Sequence, residues 1–236
     1  TKADRPGMLI CAGPCDQYPH ETYPFLLQAG AQLFNEDRSK AIFNSPEGVA
    51  GVQYMVDLVH KHKVAPRPED LIEGMFEQGL VSFRTAQIGG MVSVMRKEFP
   101  DVRLGIGPAP KGPAPEPEGR ATSGGSGMLS ISRASRAPNA AWEVIKYLTS
   151  PGPLKAWIGD GLHWFSVRPD TVFYADDPLL KDAEPLIKYM AFWPPTQWNV
   201  LEWDILGRYL TAALNGEIGA QEALDQAANE MNALRG

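Results

Sequence analysis

Long apolar runs, clustered basic residues and repeated cysteines are all scarce in this chain of 236 residues. No stretch approaches the ~18 apolar residues that a membrane-spanning helix needs. The 22 Lys and Arg residues are scattered against 28 Asp and Glu, leaving a net charge of −6. Without a compact basic block, neither nucleic acid nor an anionic membrane is an expected partner. Thr1-Lys2-Ala3-Asp4 reads as neither an initiator nor an apolar signal core. Zinc would need two ligands beyond the two cysteines. His20 lies near them, but His60, His62 and His163 are scattered, and His60 and His62 point to different sides of a helix. No metal or cofactor is expected.

Catalytic signatures are missing too. "GGSGM" at 124–128 lacks the second glycine of a nucleophile elbow at the right offset. It is not a P-loop or a dinucleotide fingerprint, because no Lys-Ser/Thr follows and the next residues read as a strand. Its glycines indicate either a tight bend or a backbone that comes close to a ligand or neighbouring chain. Carboxylates adjacent in sequence, such as Glu202 with Asp204 or Asp176 with Asp177, read as solvated surface. No catalytic residue is assigned, and no internal repeat is found.

What is present is ordinary globular composition, 44% hydrophobic and 21% charged, enough for one large domain or two modest ones. The two cysteines lie in "CAGPC". Gly13 and Pro14 favour a turn that brings Cys11 and Cys15 into bonding range, and a small loop disulfide is preferred over two reduced thiols. "YPFLLQAG" reads as a short helix. "NSPEGVAGVQYMVDLVHKHK" reads as a longer one, capped by Ser45 and opened by Pro46. Leu71 to Gly79 suggests another short helix. "AQIGGMVSVMRKEFP" suggests a strand, a break at Gly89-Gly90 and a helix start; "VRLGIGPAP" and the residues after "SGGSG" suggest further strands. "APNAAWEVIKYLTSP" is a helix from Pro138. A helix over about 201–214, a turn and a last helix end the chain, with Ala220, Ala223, Leu224, Ala227, Ala228, Met231 and Leu234 on one face. Alternating strands and helices predict an α/β fold.

Half of the six tryptophans, Trp193, Trp198 and Trp203, fall within "WPPTQWNVLEW". Five-residue spacing fits neither a helix core nor a buried strand. Either the rings plug a joint between packed elements or they present flat faces to a ligand. Sugars offer apolar C–H faces and hydroxyl edges, which aromatic plates rimmed by amides and carboxylates satisfy. "DQYPHETY", with Asp16, Tyr18 and His20, and "GLHWFSVRP", with Trp164 and Arg168, share that composition. Three such loops read more simply as walls of one cleft than as three separate plugs.

"YPFLLQAGAQLFNEDRSKAIFNSPEGVAGVQYMVDLV", "FEQGLVSFRTAQIGGM", "LGIGPAPKGP", "ATSGGSGMLSIS" and "APNAAWEVIKYLTSPGPLKAW" together resemble, in that order, the family 1 extracellular solute-binding proteins. These are receptors of ATP-binding-cassette sugar importers, the maltose-binding proteins among them. The resemblance implies a type II periplasmic-binding-protein fold, two lobes joined by hinge strands with ligand trapped between them. Residues 1–121 would open the second, C-terminal lobe, 122–127 would form a hinge crossing, and 128–175 the returning segment of the first lobe. Residues 176–236 would complete the second lobe. The opening half of the first lobe has no counterpart, so the sequence is expected to be partial and segment 128–175 to expose apolar surface, including parts of Trp142 and Ile145.

Trp203 falls where maltose receptors carry a sugar-stacking tryptophan, and Tyr18 or His20 near the family's aromatic contact. Gly125 and Ser126 match the hinge glycines, where ligand contacts occur. Val92 stands where those receptors have another stacking tryptophan; Trp164 and Trp198 are read as compensating for it. The implied function is binding of a sugar or small oligosaccharide, by hinge closure and without chemistry, for delivery to membrane permease subunits. The implied location is periplasmic or extracellular, with or without a lipid anchor ahead of Thr1. Three alternatives stay open: a receptor for a glycerol phosphodiester-like solute held by Arg168, a glycan-processing enzyme with two cleft carboxylates about 5–10 Å apart, and a scaffold with a filled cleft.

Overall fold

Helix α2, Pro46–His60, forms where the local signals agree. Ser45 accepts a hydrogen bond from the Gly48 N–H at 3.3 Å, Pro46 opens the first turn, and Glu47 complements the positive helix end. Its inward face, Val52, Met55 and Val59, is buried against α1, Tyr23–Ala29. A Cβ on Gly51 would lie 2.7 Å from the Phe25 carbonyl oxygen, so a glycine here lets the two backbones approach. These contacts come from a computed structural model, which describes residues 6–11, 19–85, 88–125 and 127–235.

The remaining elements are β1 (Met8–Leu9), β2 (Phe83–Arg84), α3 (Ile88–Glu98), β3 (Thr122–Gly124), α4 (Pro138–Leu148), α5 (Pro151–Leu154), α6 (Pro178–Ala183), β4 (Met190–Phe192), α7 (Asn199–Asn215) and α8 (Ala220–Ala233). β1 pairs with β2, and β3 with β4, both in parallel; Ser123 stands opposite Ala191 and Gly124 opposite Phe192. The fold is α/β. Among the described residues no helix is long and apolar enough to cross a membrane.

The chain divides into two compact units. The larger comprises Thr1–Ala86, Pro108–Gly124 and Lys188–Gly236. Its core joins Tyr23 and Leu26 of α1 and Met55 of α2 to Leu206, Leu210 and Leu214 of α7 and Leu224 and Met231 of α8. Each such side chain contributes roughly 1.5–3 kcal/mol of burial. The alanine stripe of α8 is buried as its spacing predicts, and α7 ends at Gly216, whose φ of +83° suits glycine. The smaller unit, Gln87–Gly107 with Gly125–Ile187, is built on Val92, Leu154, Ile158, Phe173, Tyr174 and Leu180. Arg96 and Asp177 pair across it at 2.6 and 3.0 Å.

Two boundaries differ from those the resemblance implies. Residues 87–107 do not continue 1–121, because Ile88, Val92, Leu104 and Ile106 pack into the smaller unit's core. The later boundary falls at Lys188, not at Asp176, because Leu180 belongs to that same core. The strand expectations also change. Described residues of "AQIGGMVSVMRKEFP" are helical from Ile88 through both glycines, and neither 103–110 nor 127–131 is a strand. Turns replace a helix over 73–79.

Candidate functional site

The tryptophan segment leaves β4 extended and turns into α7, so its five-residue spacing does not put three rings on one surface. Trp193 is 7% exposed. Its Nε1–H donates to Glu202 Oε2 at 3.2 Å, and its ring packs edge-on against Tyr23 at 5.5 Å and Phe34 at 5.6 Å. The plug reading therefore holds for Trp193, which lies in the core and not on a ligand face. Trp198 occupies the N-cap position of α7 and is half-buried, with the Arg235 guanidinium 5.3 Å from its ring. Trp203, in the next turn, is half-buried. It meets Trp193 at 6.1 Å, and His20 approaches at 4.0 Å with the rings 85° apart. Its Nε1 has no hydrogen-bond partner among the described residues.

His20 is placed by β3: its Nδ1 and the Ser123 Oγ are hydrogen-bonded at 2.5 Å. Burial lowers the His20 pKa below the usual imidazole value. Three residues on, the Tyr23 hydroxyl donates to the Ala191 carbonyl of β4 at 2.6 Å, and burial raises its pKa. Pro19–Tyr23 is thus tied to both strands of this small sheet. Gly124 supplies the close approach expected of the Gly-rich turn, since a Cβ there would lie 2.8 Å from the Met190 Cβ. Gly125, by contrast, is exposed, with open space around it.

Both buried carboxylates of this region are already engaged. Glu21 pairs with Arg84 at 3.0 Å, and burial raises its pKa despite the opposing arginine. Glu202 is fully buried, where the sequence reading placed it with Asp204 on solvated surface; it binds Trp193, Thr196 and Arg235. Asp204 is exposed. Neither Arg235 nor Ser123 was singled out by sequence: Arg235 carries no local signal, and Ser123 only its place beside the glycines.

The other predicted residues are distributed differently. Asp16, Tyr18, Ser126 and Cys15 lie outside the described residues. Cys11 is wholly buried, and the described residues contain no free cysteine. Trp164, 39% exposed, and Arg168 belong to the smaller unit. Gly89, expected at a break between a strand and a helix start, lies inside α3, where a Cβ would collide with the Trp164 ring. Arg168 donates to both oxygens of Asp170, at 2.9 and 2.6 Å. Val92 is fully buried. The structure therefore brings Trp203, His20, Trp193 and Tyr23 together in the larger unit, with only Trp203 and His20 half-open. Such a face can bind a flat apolar surface by stacking.

Known structures share this fold. Maltose-bound MalE3 of T. maritima is 25% identical, with a TM-score of 0.74 over 98% of this chain and 61% of its own. The cyclic alpha-maltosyl-1,6-maltose binding protein of Arthrobacter globiformis is 24% identical, with a TM-score of 0.73 over 99% of this chain and 60% of its own. The GacH receptor of Streptomyces glaucescens is 21% identical, with a TM-score of 0.78 over 99% of this chain and 60% of its own. This chain accordingly spans about 60% of the length of the structures it matches. The family model for bacterial extracellular solute-binding proteins matches residues 16–155, more than half of the sequence. The chain belongs to the bacterial extracellular solute-binding protein family.

Proposed function

We propose that this chain supplies the stacking face of an extracytoplasmic receptor that binds a sugar or small oligosaccharide and delivers it to the permease subunits of an ATP-binding-cassette importer. The observation that carries the reading is Trp203: a half-buried indole held in edge-to-face contact by both Trp193 and His20, in a member of a solute-binding family. A large aromatic held in place loses little entropy on binding, and a pyranose offers it a matching apolar face. The maltose and maltose-derived ligands named for two similar structures support a saccharide. Binding without chemical change is the reading the family supports. A phosphodiester held by Arg168 is less supported, because Asp170 already occupies that guanidinium.

Calorimetry with a panel of mono- and oligosaccharides tests the proposal. The expected outcome is saturable binding that Trp203→Ala weakens about tenfold or more, roughly the 1.4 kcal/mol one stacked ring supplies, with Trp203→Tyr intermediate. A Trp203→Ala protein that binds as the unaltered chain does would remove the reading. An extracytoplasmic location also suits a Cys11–Cys15 loop disulfide. Intact mass before and after reduction should then differ by two hydrogens.

A further inference from the structure

Glu202 and Arg235 form an ion pair with side chains only 0% and 5% exposed. Desolvation offsets much of the attraction in such a pair, so burial alone makes it a poor stabiliser. Its location is more informative. Glu202 stands in the first turn of α7, one residue before Trp203. One of its oxygens accepts from Trp193 Nε1 at 3.2 Å and Thr196 Oγ1 at 2.7 Å, and the other binds Arg235 Nη2. Arg235 follows α8 and donates Nη1 to the Met231 carbonyl at 2.9 Å. Its guanidinium lies 4.8 Å from the Phe34 ring and 5.3 Å from the Trp198 ring. A single carboxylate and a single guanidinium therefore tie Trp193, Thr196 and Trp198 to the end of the last helix.

We propose that Arg235 is a positioning residue: with Glu202 it fixes the Trp198 ring and the first turn of α7, directly ahead of Trp203, so that saccharide affinity depends on a side chain that need not touch the sugar. This inference rests on the sugar-binding reading above. Arginine suits the task because its planar cation can lie over an indole while its edge donates to a carboxylate. Lysine would keep the charge opposite Glu202 without the flat face.

The test uses the full chain labelled with 5-fluorotryptophan, the Trp198 signal being assigned by its loss in Trp198→Phe. Arg235→Lys is expected to melt close to the unaltered protein while its Trp198 fluorine line shifts and broadens, and maltose or the best ligand of the panel binds about tenfold more weakly. A second variant, Glu202→Gln with Arg235→Met, removes both charges and is expected to show the same ring mobility and the same loss. It decides the matter if Arg235→Lys fails to fold. Unchanged affinity and an unchanged Trp198 line in either folded variant would overturn the positioning role. Should the unaltered chain bind no saccharide, the sugar reading fails and takes the affinity claim with it. The fluorine line would then show separately whether Arg235 holds the ring.

Discussion

His20 meets Trp203 edge-on and shares a hydrogen bond with Ser123, an arrangement made for a neutral imidazole with partial burial around it. Burial penalises the charged ring and lowers its pKa below 6.5, and no charged neighbour contributes to that shift. The unfolded chain therefore binds more protons than the folded one between the lowered folded value and 6.5. Stability contributed by neutral His20 is fully present above 6.5 and declines as pH falls through that window. A series of melting temperatures between about pH 7.5 and 5 should fall for the unaltered chain more steeply than for His20→Gln. Parallel curves would show that the imidazole stays neutral for no energetic reason. Glu202 poses the opposite case, a charge kept in the interior by its arginine. Glu202→Gln leaves Arg235 without its counter-ion and should cost about 3 kcal/mol in urea unfolding. Residue identities were unevenly legible. Trp203 and His20 stand out in the sequence by ring chemistry and by the resemblance, and their rings meet, whereas Glu202 reads as surface because carboxylates so close in sequence are commonly solvated. Residues i and i+2 face different sides of a helix, and sequence adjacency hid that difference.

At the scale of the element, helices were readable and strands were not. α2 and α8 carry their own instructions: a Ser45 cap, a Pro46 start and, in α8, apolar positions three and four apart. Both form where expected, and the predicted face of α8 is buried from Ala220 to Met231. Removing the cap by Ser45→Ala should lower stability by about 1 kcal/mol, read as a shift in the urea midpoint at constant slope. Gly216, left-handed at the end of α7, makes a second probe. Alanine there should cost about 1–2 kcal/mol, because a Cβ crowds the following carbonyl in that conformation. A strand has no such local code. β3 pairs with β4 across more than sixty residues of chain, and "VRLGIGPAP" has a strand-like composition without a strand partner among the described residues. Side-chain alternation shows that a segment fits a pleated surface, and only a neighbouring strand makes it one.

Over the whole chain, burial is uneven between the two units. The larger closes a broad core of helices, whereas α4 in the smaller unit has no buried residue at all. Trp142 is 51% exposed and Tyr147 66% exposed; Val144 is exposed and Ile145 half-buried. Isolated surface aromatics are common, but this many large apolar side chains left open on one helix is more apolar surface than a monomeric protein usually exposes in one element. The resemblance already implied exposed apolar surface in this segment, because the opening half of the first lobe has no counterpart, and the chain spans about 60% of the length of the structures it matches. These 236 residues should therefore self-associate, with a weight-average mass in sedimentation equilibrium that rises with concentration. Trp142→Ser combined with Tyr147→Glu should flatten that rise. Because both side chains are largely in water, the pair should change stability by no more than about 1 kcal/mol. Association that persists unchanged in the double variant would place the sticky surface elsewhere. A monomer at every concentration would mean that the exposed face of α4 is inert in water.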